Sequence, residues 1–337
     1  LRGRDGDREM KIGKVPESVL KRSVLKQIHT RREEVLIGAG VGEDCAILSL
    51  SDDEVFVVST DPVTGASKEI GTLAVHVTLN DLASSGAEPV AILVSALLPP
   101  EIQEQEIREI IQEMEAACSP LHVQIAGGHT EVTAAVNRPI LTVMGIGKAK
   151  RDHIITTKGA RPGQDVVLSK WIGLEGTSIL AKEKEKELLT RYPSHLIREA
   201  KAFDRYLSIV PEAATAGKSG VTAMHDVTEG GIFGALWELA ESSGVGLEIH
   251  LKKIPIRQET IEICEFFGIN PYELISSGSL LMVTDDGLGL VGELEREKIP
   301  ATVIGKIREG NDRIVINEEE RRFLEPPRAD ALYQVLG

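Results

Sequence analysis

Four polar side chains interrupt an apolar stretch, and their types suit a cation site. His76, Asn80 and Ser84 recur at i, i+4 spacing, which places them on one helix face, and Asp81 lies beside them. Burying a lone carboxylate costs much free energy, so Asp81 needs a partner. A bound cation would satisfy it, and so would an internal hydrogen-bond network or a salt bridge to a lysine or arginine. The pattern leaves both interpretations open.

The element that carries these side chains is predicted to be a buried helix, because apolar residues surround the polar stripe on nearly every side. Gly86 can adopt the left-handed conformation that ends a helix, and Pro89 prevents the helix from resuming. The apolar positions are Leu73, Ala74, Val75, Val77, Leu79, Leu82 and Ala83.

A second acid, Asp61, follows a β-branched strand predicted over 55–60. Binding sites commonly form just past the end of a strand, so Asp61 is a candidate ligand. Because Pro62 follows it, a turn begun by the aspartate is the alternative.

Glycines alternate along residues 37–46, before two acids. Gly40 and Gly42 would let backbone amides approach an anion, and Asp44 follows them. The run is not a Walker A loop, because no Gly-Lys-Ser/Thr follows, and it is not a dinucleotide fingerprint. By itself it favours an ordinary glycine-rich loop.

Two glycine pairs mark further candidate sites, because glycines allow close approach of the backbone. A strand predicted at 122–126 leads into Gly127 and Gly128, followed by the possible ligands His129 and Glu131. A tight turn with polar side chains is the alternative there.

The second glycine pair ends the turn at 225–231, where a predicted strand leads directly into a helix at 232–242. The acids of this turn, Asp226 and Glu229, suit a phosphate or metal site. The alternatives are a buried, hydrogen-bonded His225 and a helix cap at Asp226.

Length and composition set outer limits. The chain has 337 residues, which predicts two domains. A net charge of −14 argues against a nucleic-acid-binding surface, and no apolar run predicts a membrane span. Three widely spaced cysteines favour reduced thiols and a cytoplasmic protein. We expect residues 1–10 to be a disordered tail.

The elements predicted for the first half follow the order ββαβαββ, a mixed sheet with two helices. The second helix is predicted at 101–118, with its Glu and Gln residues on a solvated face and an inward face formed by Ile107, Ile110, Ile111, Met114 and Cys118. A polar stretch around 151–164 marks the predicted boundary between an N-terminal domain at 11–150 and a C-terminal domain at 151–337. Strands of the second half are predicted at 165–169, 221–227, 279–284, 301–307 and 313–316, and helices after 173, at 194–209, 232–242 and 270–277.

Six motifs in order resemble those of the aminoimidazole ribonucleotide synthetase-like superfamily of ATP-using enzymes. They are GVGEDCA at 40–46, TD at 60–61, NDLASSGAEP at 80–89, GGHTE at 127–131, GLEGT at 173–177 and HDVTEGG at 225–231. The superfamily includes purine synthetases, selenophosphate synthetase, thiamine-monophosphate kinase and the hydrogenase maturation protein HypE. The resemblance is nearest to HypE, through the last of these motifs.

The resemblance implies an α+β, two-domain PurM-like fold. The N-terminal mixed sheet would form a barrel across a homodimer, and the C-terminal domain would be an α/β sandwich. ATP would lie between the domains. The metal ligands would be Asp44, Asp61 and Asp81. The other contacts to the nucleotide would be Gly40, Gly42, Asn80, Gly127, Gly128 and His129. The catalytic residues would be Glu131, Asp226 and Glu229.

The implied chemistry is magnesium-dependent transfer of the γ-phosphoryl group of ATP to a substrate oxygen. Magnesium prefers oxygen ligands, and a triphosphate among several carboxylates requires a cation. Phosphoryl transfer needs positioning and charge neutralisation rather than a protein nucleophile. The substrate is an unknown small molecule or protein group. A regulatory relative without turnover and a thiamine-phosphate-kinase-like activity are the alternatives.

Several positions depart from the HypE pattern. No cysteine follows Cys264, where HypE ends in one; Glu131 replaces a lysine, Glu229 an arginine and Ser277 a glutamate, and His129 replaces an acid. A carboxylate in place of a cation reverses the local field, and a neutral imidazole is a poor magnesium ligand. We therefore expect the ATP site to be kept and the HypE reaction not to be performed.

Overall fold

The computed structural model describes residues 13–14, 19–37, 39, 47–64, 68–326 and 329–336. The predicted tail at 1–10 and the glycine motif at 40–46 lie outside these residues. The chain is a mixed α+β protein with two large sheets. It divides into two compact units, one within residues 1–82 and 87–152, the other within 83–86 and 153–337.

Among its described residues, the first unit contains a five-stranded mixed sheet and two α-helices, as the sequence predicts. Its strands are β1 Gly13–Lys14, β2 Val35–Ile37, β3 Ile47–Leu48, β4 Glu54–Val63, β5 Glu88–Leu98, β6 Gln124–Val132 and β7 Ile140–Lys150. Its α-helices are α1 Ile70–Ser84 and α2 Glu104–Cys118, and a short π-helix, Leu20–Val24, continues into a 3-10 turn, Leu25–Gln27.

The sheet of the first unit has the order β1-β6-β5-β7-β4, and β2 pairs separately with β3. Strand β5 is parallel to β6 and antiparallel to β7. Helix α1 packs closely on β7: a Cβ atom added to Gly145 would lie 2.8 Å from Thr78 Cγ2 and 2.9 Å from Leu82 Cδ1. A glycine in the strand therefore sets how near the helix that carries Asp81 comes to the sheet.

Helix α2 is amphipathic, and the face predicted to point inward is buried. Its N-terminus is closed by a capping box between Gln103 and Glu106. Two glutamates of α2 are buried, although its Glu and Gln residues were predicted to lie on a solvated face. Glu104 binds Arg22 and Ser23, and Glu115 accepts the Thr30 amide at 2.7 Å, so both are buried. Contacts from the preceding segment cover them, which spacing along the helix cannot predict.

The second unit contains a seven-stranded sheet and eight helices among its described residues. Its strands are β8 Asp165–Ser169, β9 Ala223–Asp226, β10 Gly246–His250, β11 Leu280–Thr284, β12 Ala301–Arg308, β13 Arg313–Asn317 and β14 Glu320–Phe323. Its helices are α3 Leu174–Glu183, α4 Glu185–Leu188, α5 Ser194–Lys201, α6 Val210–Ala216, α7 Gly231–Ser243, α8 Gln258–Phe267, α9 Gly287–Arg296 and α10 Tyr333–Leu336.

The second sheet has the order β14-β13-β10-β12-β8-β11-β9, antiparallel throughout except for the pair β10 and β13. The predicted helix at 194–209 ends at Lys201 and continues as the 3-10 turn Ala202–Tyr206. The predicted helix at 270–277 is only the turn Pro271–Glu273. Sequence reasoning did not predict β10, α8, α9 or β14.

Both faces of this sheet are covered, because alternate residues of its central strands belong to different apolar clusters. Val166 and Leu168 pack in the cluster that contains Leu236 and Leu239 of α7. Val167 lies in the other cluster, on the side of α6 and α9. This layering confirms the predicted α/β sandwich, whereas the barrel across a dimer stays a prediction.

No helix in the described part of the chain combines the length and apolar character that a bilayer crossing requires.

Candidate functional site

The polar stripe of α1 lies at the end of a buried helix, as predicted. Gly86 has a φ of 76°, the left-handed conformation expected after a helix end. Asn80 is completely buried, and Asp81 is partly buried. Asp81 Oδ2 accepts a hydrogen bond from the Ser59 hydroxyl on β4. An internal partner, one of the two alternatives left open by the sequence, is therefore present.

Asp61 lies within β4 rather than past its end. The strand was expected to stop at Thr60, but it continues through Val63, and Asp61 and Pro62 pair with Val143 and Thr142 of β7. Strand β4 is at the sheet edge, where the missing N–H of a proline is tolerated. The turn alternative is therefore wrong.

Asp61 and Asp81 belong to one local site. Ser59 and Asp61 are two residues apart, so their side chains share the face of β4 from which Ser59 reaches Asp81. Asp61 Oδ2 is buried and makes no hydrogen bond within the described residues. A buried carboxylate oxygen without a donor is costly, and a hard cation would satisfy it.

The described residues alone do not complete a metal site. They hold no group of three or more His, Cys, Asp or Glu side chains arranged around a common point. The third predicted ligand, Asp44, lies outside the described residues, as do Gly40 and Gly42. Asp61 and Asp81 are therefore the part of the predicted set whose position is known.

The Gly127–Gly128 segment is part of a strand, so the tight-turn alternative is wrong there. Strand β6 continues through it to Val132, and Gly128 has a φ of 143°. A Cβ atom at Gly128 would lie 1.9 Å from the Val94 carbonyl oxygen of β5, so pairing with β5 requires glycine there. His129 Nε2 lies 2.9 Å from Glu131 Oε2, and both side chains are substantially exposed.

Asp226 and Glu229 lie in the second unit, where β9 leads into α7. Asp226 ends β9 opposite Leu280 and is 6% exposed, whereas Glu229 is exposed. Gly230, with a φ of 82°, is the N-cap of α7, so the alternative that Asp226 caps the helix is wrong. His225 Nε2 lies 2.9 Å from Glu238 Oε2, so that histidine is hydrogen-bonded as in the alternative, but it is half-buried rather than part of the core.

Asp330 is an acid that sequence reasoning missed at the start of α7. Its Oδ2 atom accepts the Gly230 amide at 2.7 Å, and its Oδ1 atom accepts the Leu332 amide at 2.8 Å. Burial raises the pKa of Asp330, which is 1% exposed, although these amides oppose the rise. No periodicity near residue 330 indicated a buried acid.

Glu175 is the second missed acid, although the motif that contains it was recognised. It is the second residue of α3, whose N-cap Gly173 has a φ of 70°. The side chain is 4% exposed, and Oε2 has no hydrogen-bond partner in the described residues. Burial raises the pKa of Glu175 from 4.5 to about 7, while Ser277 lowers it. An acid between apolar residues at a helix start was the available signal.

Two family models match most of this architecture. The N-terminal domain of AIR synthase related proteins matches residues 42–149, and the C-terminal domain matches residues 161–317. The chain belongs to the AIR synthase related family. The predicted resemblance is thereby confirmed, and the two matches place the first candidate site in the N-terminal family domain and the second mostly in the C-terminal one.

Two relatives in the AIR synthase related family are named for hydrogenase maturation. A Methanocaldococcus jannaschii protein, named for hydrogenase expression and formation, is 30% identical over 80% of this chain and 79% of its own length. The carbamoyl dehydratase HypE of Rhizobium leguminosarum is 31% identical over 68% of this chain and 63% of its own length.

Solved structures show the same fold. HypE in complex with ATP superimposes with a TM-score of 0.78 and 21% identity, covering 95% of this chain and 97% of that one. A thiamine-monophosphate kinase from Stenotrophomonas maltophilia superimposes with a TM-score of 0.73 and 21% identity, covering 92% of this chain and 99% of that one. At these identities the likeness establishes architecture rather than activity.

Proposed function

We propose that this protein binds ATP with magnesium and transfers the γ-phosphoryl group to an oxygen of its substrate. One observation carries the proposal: Asp61 presents a buried, unsatisfied carboxylate oxygen on the same face of β4 from which Ser59 binds Asp81. Two acids held by a strand and a helix are oxygen ligands of the kind that magnesium prefers. Family membership and the ATP complex of HypE, a protein of the same fold, support this interpretation.

The residues of the chain would act mainly by position. Asp61 and Asp81 would hold the cation, which neutralises phosphate charge when it is bound. Ser59 donates to Asp81 and so fixes one carboxylate before a ligand arrives. Asn80 would lie near the cation, and Glu131, Asp226 and Glu229 remain the candidate catalytic residues. The glycine arm with Gly40 and Gly42 would approach the nucleotide.

Calorimetric titration with ATP, with and without magnesium, tests this assignment. We expect Asp81→Asn and Asp61→Asn each to weaken magnesium-dependent ATP binding at least about tenfold, because each removes an anionic ligand. The fold should persist, since asparagine keeps the shape of aspartate.

Asp53→Asn is the matched control, because Asp53 is an exposed acid next to the same strand. The Asp53→Asn variant should bind ATP with the same affinity as the wild type. Unchanged ATP binding in both Asp61→Asn and Asp81→Asn would disprove the metal assignment.

The HypE reaction itself is not part of the proposal. Glu131, Glu229 and Ser277 depart from the HypE pattern as described above, so ADP release should be assayed with a panel of amides, carboxylates and phosphates. ADP formed only with thiamine phosphate would indicate the kinase alternative, which the fold of the thiamine-monophosphate kinases permits. ATP binding without any ADP release would indicate a regulatory relative.

We also propose that the first unit forms a homodimer through β4 and β7. Strand β4 is an edge strand, and its outer face carries Phe56 and Val58, which are 51% and 64% exposed. Met144 of β7, opposite Thr60, extends this apolar face. A long edge strand with exposed apolar side chains is unfavourable in water and favours pairing with another copy.

A further inference from the structure

Strand β14 forms one edge of the second sheet among the described residues. It pairs there with β13 alone, and all four of its residues, Glu320–Phe323, are exposed. The match to the C-terminal family domain ends at residue 317, so β14 lies beyond it. The open edge of a strand presents backbone N–H and C=O groups with which a further strand can pair.

The backbone groups of Arg321 and Phe323 point away from β13. In an antiparallel pair, positions that are hydrogen-bonded to the neighbouring strand alternate with positions that are not. The Leu324 amide donates to the Arg313 carbonyl oxygen at 2.8 Å, so Leu324 and, two residues earlier, Arg322 are positions bonded to β13. The N–H and C=O groups of the residues between them, Arg321 and Phe323, therefore line the open edge.

The sheet face that carries Phe323 lacks a covering helix at this edge in the described part of the chain. Phe323 pairs with the half-buried Ile314 and is 69% exposed. The next residue, Val315, packs in the cluster under α7, so Ile314 faces the opposite side of the sheet. The apolar cluster on that side, under α6 and α9, includes neither Ile314 nor Phe323. A strand added to β14 would extend this face and shield the Phe323 ring from water.

The arginines of this edge select the charge of an added strand. The Arg322 guanidinium carbon lies 5.4 Å from the centre of the Phe233 ring, and Arg322 forms no salt bridge with any described residue. Arg321 and Arg308 share one carboxylate, Glu248, each at 2.9 Å. A second copy of β14, paired over its full length, would place Arg321 opposite Arg322, and like charges disfavour such a pair. Acids in the added strand would instead complement both arginines.

We propose that β14 accepts an acidic, extended segment of a protein partner as an additional antiparallel strand. Main-chain hydrogen bonds to Arg321 and Phe323 supply affinity, and the side chains supply selectivity. In this pairing an apolar residue of the partner lies opposite Phe323, acids follow opposite Arg322 and Arg321, and a neutral residue lies opposite Glu320. The proposal is independent of nucleotide binding by the protein.

The test uses the full chain and a blocked hexapeptide with this pattern, Thr-Val-Glu-Glu-Thr-Val. Binding is followed by NMR through amide chemical shifts and amide hydrogen exchange. We expect the Arg321 and Phe323 amides to exchange at least about fivefold more slowly with saturating peptide, whereas the Arg322 amide, already bonded to β13, should change little. Replacing both glutamates of the peptide by lysine should weaken binding at least about tenfold at low salt.

Two variants at one position separate main-chain pairing from charge. Arg321→Pro removes an N–H group from the open edge, and Arg321→Thr is its matched control, because both variants lack the guanidinium. Proline is tolerated where the N–H of an edge strand faces solvent, so the fold should persist, as circular dichroism can verify. The proline variant should bind the glutamate peptide at least about threefold more weakly than the threonine variant.

The charge of the edge is tested separately. Arg322→Gln should weaken binding of the glutamate peptide about threefold or more, whereas Arg296→Gln, at an exposed arginine of α9, should leave it unchanged. Absence of binding, equal affinity for the two peptides, or equal affinity of the two Arg321 variants would overturn the proposal. Slower exchange of the edge amides at high protein concentration without peptide would overturn it in favour of a second copy of the chain.

Discussion

Buried carboxylates in this protein fall into two electrostatic classes. Arg32 holds the pKa of Glu34 at about 2, whereas burial holds that of Glu175 at about 7. Lys148 also binds Glu34, and Arg32 extends to Glu88. The same residue type therefore has opposite consequences for stability, because within the described part of the chain only Glu34 has a cation beside it.

The pH dependence of stability should reveal this difference in two matched variants. A depressed pKa stabilises the folded state above pH 4.5 and loses that contribution as the pH falls toward about 2. Glu34→Gln should therefore lose up to about 3 kcal/mol of unfolding free energy at pH 7, and the loss should shrink in acid. Denaturant titration at several pH values measures both effects.

Glu175→Gln should behave oppositely. A raised pKa gives stability that is complete below pH 4.5 and is lost as the pH rises through about 7. The variant should exceed the wild type by up to about 3 kcal/mol above pH 7 and match it in acid. If both variants changed stability in the same direction at pH 8, this electrostatic description would be wrong.

At the scale of elements, glycine positions decide how closely strands and helices approach. The absence of a side chain at Gly145 allows α1 to pack closely on β7. The absence of one at Gly128 allows β6 to lie close to the Val94 carbonyl oxygen. The Gly127–Gly128 pair was expected to serve phosphate approach, yet the structure gives Gly128 a packing role. Mutation of Gly128 should lower stability if its role is packing, and should lower ATP affinity if its role is phosphate approach.

Gly128→Ala should destabilise the first unit by about 3 kcal/mol or more, because the new Cβ atom would clash with backbone at a φ of 143°. Gly127→Ala is the matched control, since its Cβ atom would meet only Leu93 Cδ2, at 3.3 Å. It should cost about 1 kcal/mol or less. Thermal unfolding followed by circular dichroism measures the stability of both variants. A Gly128→Ala variant that kept its stability and lost only ATP affinity would contradict the packing role of Gly128.

At the scale of the whole molecule, the exposed face of β4 bears on assembly. Val58→Lys places a charge at its most exposed apolar position, so sedimentation velocity should show a dimer for the wild type and a monomer for this variant. Leu288→Lys is the control, because Leu288 is 78% exposed on α9 of the second unit. A wild-type monomer, or a Val58→Lys dimer, would rule out pairing through this face.

The sequence by itself determined the kinds and order of most elements. Apolar periodicity and local signals such as Gly86 act over a few residues, so they can be found in the sequence. They predict the strands at 165–169 and 313–316 and the helices ending at Ser84 and Cys118. The six ordered motifs determined the family, because each motif fixes residue types over a short stretch.

Only the tertiary structure decided which acids have partners. The burial of Glu104 and Glu115 and the contact of Asp330 with the start of α7 join residues that are far apart in the chain. Spacing along one element cannot report them, because desolvation and charge depend on what other segments bring near. The same reason explains why Asp61 could be named as a ligand from sequence while its unsatisfied oxygen could be found only in the folded chain.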